Sequence, residues 1–178
     1  MTTHNILKTN KIAAADVAAW VRPVVCASAV DNGNVFQLLT VSGTDGEGEV
    51  FLATAPTSAS ATDCWMAAQP EQPFGAVGNN TYYGIGNITD FYNSASAVFT
   101  AFKLQKGDII EITADGLDSS TTAAYAVPVL GTFKFAWAAA ASTGLTLRYL
   151  STKYIPVGSG SAIGGGRVVS YRFEVYGI

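Results

Sequence analysis

The stretch FKLQKGDIIEITADGL, residues 102–117, sets Asp108, Glu111 and Asp115 within eight positions, with Lys103 and Lys106 beside them. Carboxylates gathered this closely are the raw material of general acid–base chemistry, provided that two of them face one reacting group. Lys106-Gly107-Asp108 reads as a turn and Ile109–Thr113 as the strand after it. Side chains alternate across a strand, so residues three apart face opposite ways. Asp108 and Glu111 are therefore not expected to share a site, and Asp115 falls beside Gly116 in the following turn. These acids are expected to form turns and a solvated face.

Other chemistries fail on supply. The single histidine, His4, sits in an N-terminal stretch expected to be mobile, which leaves no fixed base for a serine or cysteine nucleophile. One histidine and two distant cysteines cannot furnish a zinc site. The acidic turn DGEGE offers Asp45, Glu47 and Glu49 as hard oxygen ligands for calcium, but its spacing is not that of an EF-hand loop. Its simpler reading is an acidic hairpin turn. The glycine-rich GSGSAIGGG, 158–166, precedes a strand rather than a helix and lacks the P-loop lysine, so it is not read as a phosphate cradle. Trp65, Tyr82 and Tyr83 lie in loop-like segments. They form a candidate sugar-stacking platform, or else plugs at the ends of a β core. A distant acid pair such as Glu71 and Asp90 would suit glycoside hydrolysis, and nothing in the sequence recommends it.

The elements that must hold these residues are mostly strands. In RVVSYRFEV, Val169, Tyr171, Phe173 and Val175 fall on one face and Ser170, Arg172 and Glu174 on the other, the pattern of a half-buried strand. TFKFAW repeats it, with Phe133, Phe135 and Trp137 opposite Thr132, Lys134 and Ala136. Residues 35–41, 49–54, 98–104 and 145–150 are further strand candidates. Asn32-Gly33 tolerates the positive φ of a tight hairpin. TDCWMAA is a candidate helix start capped by Thr62 or Asp63, TDFYNSA a candidate single turn, and residues 13–21 a short helix ended by Pro23. The expected fold is mainly β: an antiparallel β-sandwich or barrel with long loops and short helical turns. Residues 1–22 form an N-terminal arm and 23–178 a single domain.

Composition narrows the function. Only 13 % of residues are charged, about half the usual share, so Thr, Ser, Asn, Gln and Gly must supply much of the surface. Of the 49 % hydrophobic residues, 27 are alanines, which leaves the core to the aromatics and branched aliphatics. Lys8, Lys11 and Arg22 against Asp16 give residues 1–22 a charge of +2, so the remainder carries −3 − 2 = −5. That balance argues against a nucleic-acid partner. The longest apolar run falls far short of the ~20 residues that span a bilayer, and no secretion signal is visible, so a membrane partner is not expected. Cys26 and Cys64, 38 positions apart, read as two buried free thiols, with a disulfide as the other reading.

Five stretches carry a resemblance: SAVDNGNVFQL, GEGEVFLATAP, PEQPF, TYYGIGNITDFYNSASAVFTAFKLQKGDIIEIT and LSTKYIPVGSGSAIGGGRVVSYRFEV. Over residues 25–176 the chain resembles the capsid decoration, or cement, proteins of tailed bacteriophages, of the type encoded beside the major capsid protein gene. The resemblance implies a virion structural protein, assembled in the host cytoplasm, that sits on the capsid surface. It implies the major capsid protein as partner, a homo-oligomer (trimer or dimer), no cofactor and no catalysis. On that reading the basic arm docks the protein through Lys8, Lys11, Trp20 and Arg22. The alternative is a carbohydrate-binding or host-attachment module of the virion that uses Trp65, Tyr82 and Tyr83.

Overall fold

The computed structural model describes residues 4–42, 49–71, 74–77, 80–83, 88–119, 121–157 and 166–178, with only the backbone of 74–77 and 80–83. The strands are β1 Leu7–Lys11, β2 Val21–Cys26, β3 Val35–Val41, β4 Phe51–Thr54, β5 Trp65–Ala67, β6 Phe74–Val77, β7 Asn80–Tyr83, β8 Val98–Lys103, β9 Ile109–Thr113, β10 Tyr125–Pro128, β11 Phe135–Ala138, β12 Thr146–Val157 and β13 Gly166–Gly177. The described residues contain no α-helix, only single 3-10 turns. The fold is mainly β, an antiparallel six-stranded sheet beside a five-stranded barrel.

The sheet runs β1-β9-β13-β12-β10-β11. Its inner face follows from the period-two pattern. Leu7 stands opposite Ile112 and Ile112 opposite Tyr171, while Ile110, Phe173 and Tyr149 form the next row. These side chains meet Val35, Met66 and Phe102 from the barrel wall, and this layer is the main core. The barrel closes as β2-β4-β3-β5-β8, with β2 and β4 parallel and the other pairs antiparallel. Its interior is a second core of Val24, Cys26, Phe36, Trp65, Phe99 and Ala101. Phe36 and Phe99 meet edge to face at 5.8 Å.

Three local expectations are corrected. TDCWMAA is not a helix start, because Trp65–Ala67 is β5. All three of its residues are buried, Trp65 and Ala67 into the barrel and Met66 against the sheet, so the strand shows no polar face to mark its period. Asn32-Gly33 is a turn with φ +82° at the glycine, but not a hairpin. β2 pairs with β4 and β8, and β3 pairs with β4 and β5. The turn is held instead by Gln69: its N–H donates to Asn32 Oδ1 at 3.0 Å, and Asn32 Nδ2 donates to its carbonyl at 2.8 Å. The helix expected over 13–21 is two 3-10 turns, Ala13–Ala15 and Ala18–Trp20.

The N-terminal segment is built into the sheet. β1 is an edge strand on β9, with Lys8 opposite Glu111. Asn5 and Ile6 are buried. Asn5 Oδ1 accepts both the N–H and the hydroxyl of Thr113, at 3.0 and 2.9 Å. His4, expected to be mobile, is fixed: its Nδ1 lies 2.7 Å from Asp31 Oδ1 and its ring stacks on Tyr92 at 4.8 Å. Cys26 and Cys64 are free and buried.

Candidate functional site

The acidic cluster is structural in its contacts. Asp108 and Glu111 are buried rather than solvated, which corrects the expectation from sequence. Asp108 Oδ1 accepts the N–H of Ala13 and Oδ2 that of Gln105, both at 2.8 Å. Glu111 points to the outer face of the sheet. It accepts the Ser170 hydroxyl at 2.5 Å, and Arg172 Nε lies 3.8 Å from its other oxygen. Lys8 and Arg172 stand opposite Glu111 on the two flanking strands, so cross-strand cations surround it. Asp115 lies in the 3-10 turn Ala114–Gly116. Lys103 is taken up by Asp63 at 2.8 Å. Sequence reasoning missed this network because its members come from strands far apart in the chain.

Of the residues assigned to docking, Lys8 and Lys11 share β1 and are exposed. Trp20 packs at the margin of the main core. Arg22 is placed by β2 at a mouth of the barrel, with its guanidinium 4.3 Å from the Phe51 ring centre and 5.6 Å from that of Trp65.

Trp65 is 4 % exposed, so its faces are closed to a sugar. Tyr82 and Tyr83 belong to β7, and their side chains lie outside the described residues, as do Asp45, Glu47 and the segment 158–165. Glu49 is exposed. Glu71 is half-buried beside Asn32, and burial raises its carboxyl above the usual range while the Asn32 hydrogen bond and Lys8 oppose the rise. Among the described residues no group of three or more His, Cys, Asp or Glu side chains could hold a metal ion.

Two surfaces remain with the geometry of docking sites. The first is a stretch of barrel wall outside the main core. Register places Val98, Val25 and Leu52 side by side on β8, β2 and β4, and Leu39 lies in the bulge of β3 opposite Leu52. Leu39 is 55 % exposed, Val98 50 % and Leu52 37 %, with Val21 also open, whereas Val25 between Val98 and Leu52 is buried. The neighbouring outward positions are Pro23, Thr54 and Thr100, so this row crosses four strands without a charge. Exposed apolar side chains gathered in this way can mark a contact with another macromolecule.

The second is the outer face of the sheet. Ion pairs cross it, Arg148 with Glu174 and Arg172 with Glu111. One end is covered by a small cluster of Ile6, Ile155, Val157, Ile88 and Val168. No family model, no curated protein and no solved structure matches this chain.

Proposed function

We propose that the chain is a virion structural protein that binds the outside of a phage capsid and stabilises contacts between major capsid protein subunits. The observation that carries this reading is the group of exposed apolar side chains Val98, Leu52 and Leu39 around the buried Val25 on the barrel wall, an uncharged surface rather than a deep cleft. The resemblance of residues 25–176 to capsid decoration proteins supports it, and so does the low charge of the chain.

Such a protein works by bridging. A copy that touches two shell subunits makes release of either one cost its contacts as well, so modest contacts multiply into large resistance to disassembly. The rigid layering of sheet on barrel suits that role, because a bridge transmits force only if it does not unfold locally. Clustering at a symmetry axis as a homodimer or homotrimer would add copies to each bridge.

The test is co-sedimentation of the purified protein with capsids that lack it, followed by an electron-microscopy map of the decorated shell. Saturable binding at fixed positions on the outer shell supports the reading. Failure to sediment with capsids, or density for the chain at the tail or portal alone, overturns it.

A further inference from the structure

One cleft of the barrel carries both signs of charge and no ion pair. It measures about 380 Å³ and is lined by Ala19, Val21, Arg22, Pro23, Glu49 and Phe51. β2 and β4 run parallel with Val24 opposite Phe51, and Arg22 and Glu49 each precede that pair by two residues. Arg22 is half-buried, and its guanidinium lies over aromatic rings, 4.3 Å from the centre of Phe51 and 5.6 Å from that of Trp65. Stacking fixes the group and leaves its fork of N–H donors unspent. Glu49 is exposed. Among the described residues neither side chain enters an ion pair, with each other or with any third group. Lys103, opposite Trp65 on β8, is by contrast paired with Asp63 at 2.8 Å.

The rest of the cleft wall is apolar, and Ala19, Val21 and Pro23 are exposed on it. A foreign partner of one sign would satisfy one of the two charges and oppose the other. A surface with one cation, one anion and apolar side chains around them is instead complementary to itself. In a two-fold contact, residue i of one copy touches residue j of the other and the reverse, so each charge meets its opposite twice. Both charges line the same cleft, so the contact must be of this kind rather than head to tail.

We infer that this cleft is where two copies of the chain meet about a two-fold axis, with Arg22 of each copy against Glu49 of the other. The ring-stacked guanidinium is a rigid anchor, so little side-chain freedom is lost when it binds. Arginine beside an aromatic ring is also the composition typical of interface centres. A contact built round one cleft is smaller than a standard interface, so the dimer is weak, with a dissociation constant of about 10–100 µM. The inference does not depend on the protein binding a capsid.

The test is analytical ultracentrifugation of the full chain up to about 300 µM, with circular dichroism to check the fold of each variant. The expected result is a reversible monomer–dimer equilibrium. Glu49→Arg, at an exposed position, should weaken it about tenfold or more, and Arg22→Glu should do the same. Each variant alone sets like charges against each other. In an equimolar mixture of the two, the introduced glutamate faces the introduced arginine and the original Arg22 and Glu49 face each other. The mixture should therefore dimerise within about threefold of the unmodified protein. Glu49→Gln, which removes the charge without reversing it, should fall between the original and Glu49→Arg, and that ranking carries the test if Arg22→Glu does not fold. A chain that stays monomeric at about 300 µM overturns the inference, as does a dimer equally strong in Glu49→Arg. So does a mixture of two folded variants that fails to associate. A monomeric protein whose capsid binding is lost in Arg22→Glu would give the cleft to the shell subunit and overturn the assignment to a second copy. Absence of capsid binding with dimerisation intact would sink the proposed function and leave this inference standing.

Discussion

The backbone N–H of Ala13 donates to Asp108 Oδ1 at 2.8 Å, across 95 positions of chain. Asp108 is thus the clamp that fixes the N-terminal segment against the turn before β9. Its second oxygen holds Gln105 N–H, so both oxygens are occupied by backbone donors. Hydrogen bonds to a buried charged acceptor contribute about 1.5–3 kcal/mol each, and loss of the acceptor leaves the donors unsatisfied. Asp108→Ala is expected to destabilise the protein by about 2–4 kcal/mol. Asp108→Asn, which keeps one acceptor, should cost about half as much. Urea unfolding midpoints check both, and limited proteolysis should show the first cut moving into residues 4–22 in the alanine variant.

Gly33 and Gly107 separate backbone strain from steric clash. Both have positive φ, +82° and +92°. A Cβ on Gly107 would meet nothing within 4 Å, whereas one on Gly33 would lie 2.6 Å from Asn5 Nδ2 and 2.9 Å from Ile112 Cγ2. Gly107→Ala should cost only the left-handed penalty, about 1–2 kcal/mol. Gly33→Ala adds overpacking where Asn5, Ile112 and the turn converge, and should cost about 2–5 kcal/mol in total. Thermal or urea melts of the two variants rank them, and equal losses would show that Asn5 yields freely.

Local pattern made part of this architecture legible. β13 and β9 alternate cleanly because one face is core and the other polar, and their strands sit where the period puts them. β5 was unreadable because it is buried on both faces. β1 was unreadable for the opposite reason: Leu-Lys-Thr-Asn-Lys buries almost nothing itself and is a strand only because β9, about a hundred positions later, pairs with it. The outward row of the barrel shows the same limit. Val25, Leu52, Leu39 and Val98 look like ordinary strand residues until the pairing of β8, β2, β4 and β3 sets them side by side. Which strands pair is a long-range fact that no local period encodes.

Cys64 gives a pH signature of folding. Burial, and then the neighbouring Asp63 carboxylate, push its thiol up to about 12. In the unfolded chain the thiol ionises near about 8.5. Between these values the folded protein keeps a proton that the unfolded chain has lost. Stability is fully present below about pH 8.5 and falls above it, by up to about 1.4 kcal/mol per pH unit, until the folded thiol itself ionises. The expected result is a decline in urea midpoint from pH 8.5 to 10.5 that is shallower in Cys64→Ala. Parallel declines in the two proteins would remove Cys64 as the cause. The same burial predicts that a thiol reagent at pH 8 labels Cys64 only as fast as the protein opens.

The last prediction concerns which face would meet a capsid under the proposed function. The uncharged row on the barrel and the ion-paired outer face of the sheet are distinct surfaces with opposite character. A charge placed in an apolar contact must be desolvated without a partner, whereas a charge added to an exposed strand position costs the free protein little. Leu39→Glu with Leu52→Lys should therefore shift the unfolding midpoint slightly, within about 1 kcal/mol, while lowering capsid affinity about a hundredfold or more. Arg148→Ala with Glu174→Ala removes an exposed pair from the sheet and should leave capsid affinity within about threefold of the original. Quantitative sedimentation against undecorated shells reads both. Because each variant keeps its fold, the comparison reports on the docking face alone. A loss confined to the Arg148, Glu174 variant would place the shell against the sheet and leave the barrel row for contact between copies.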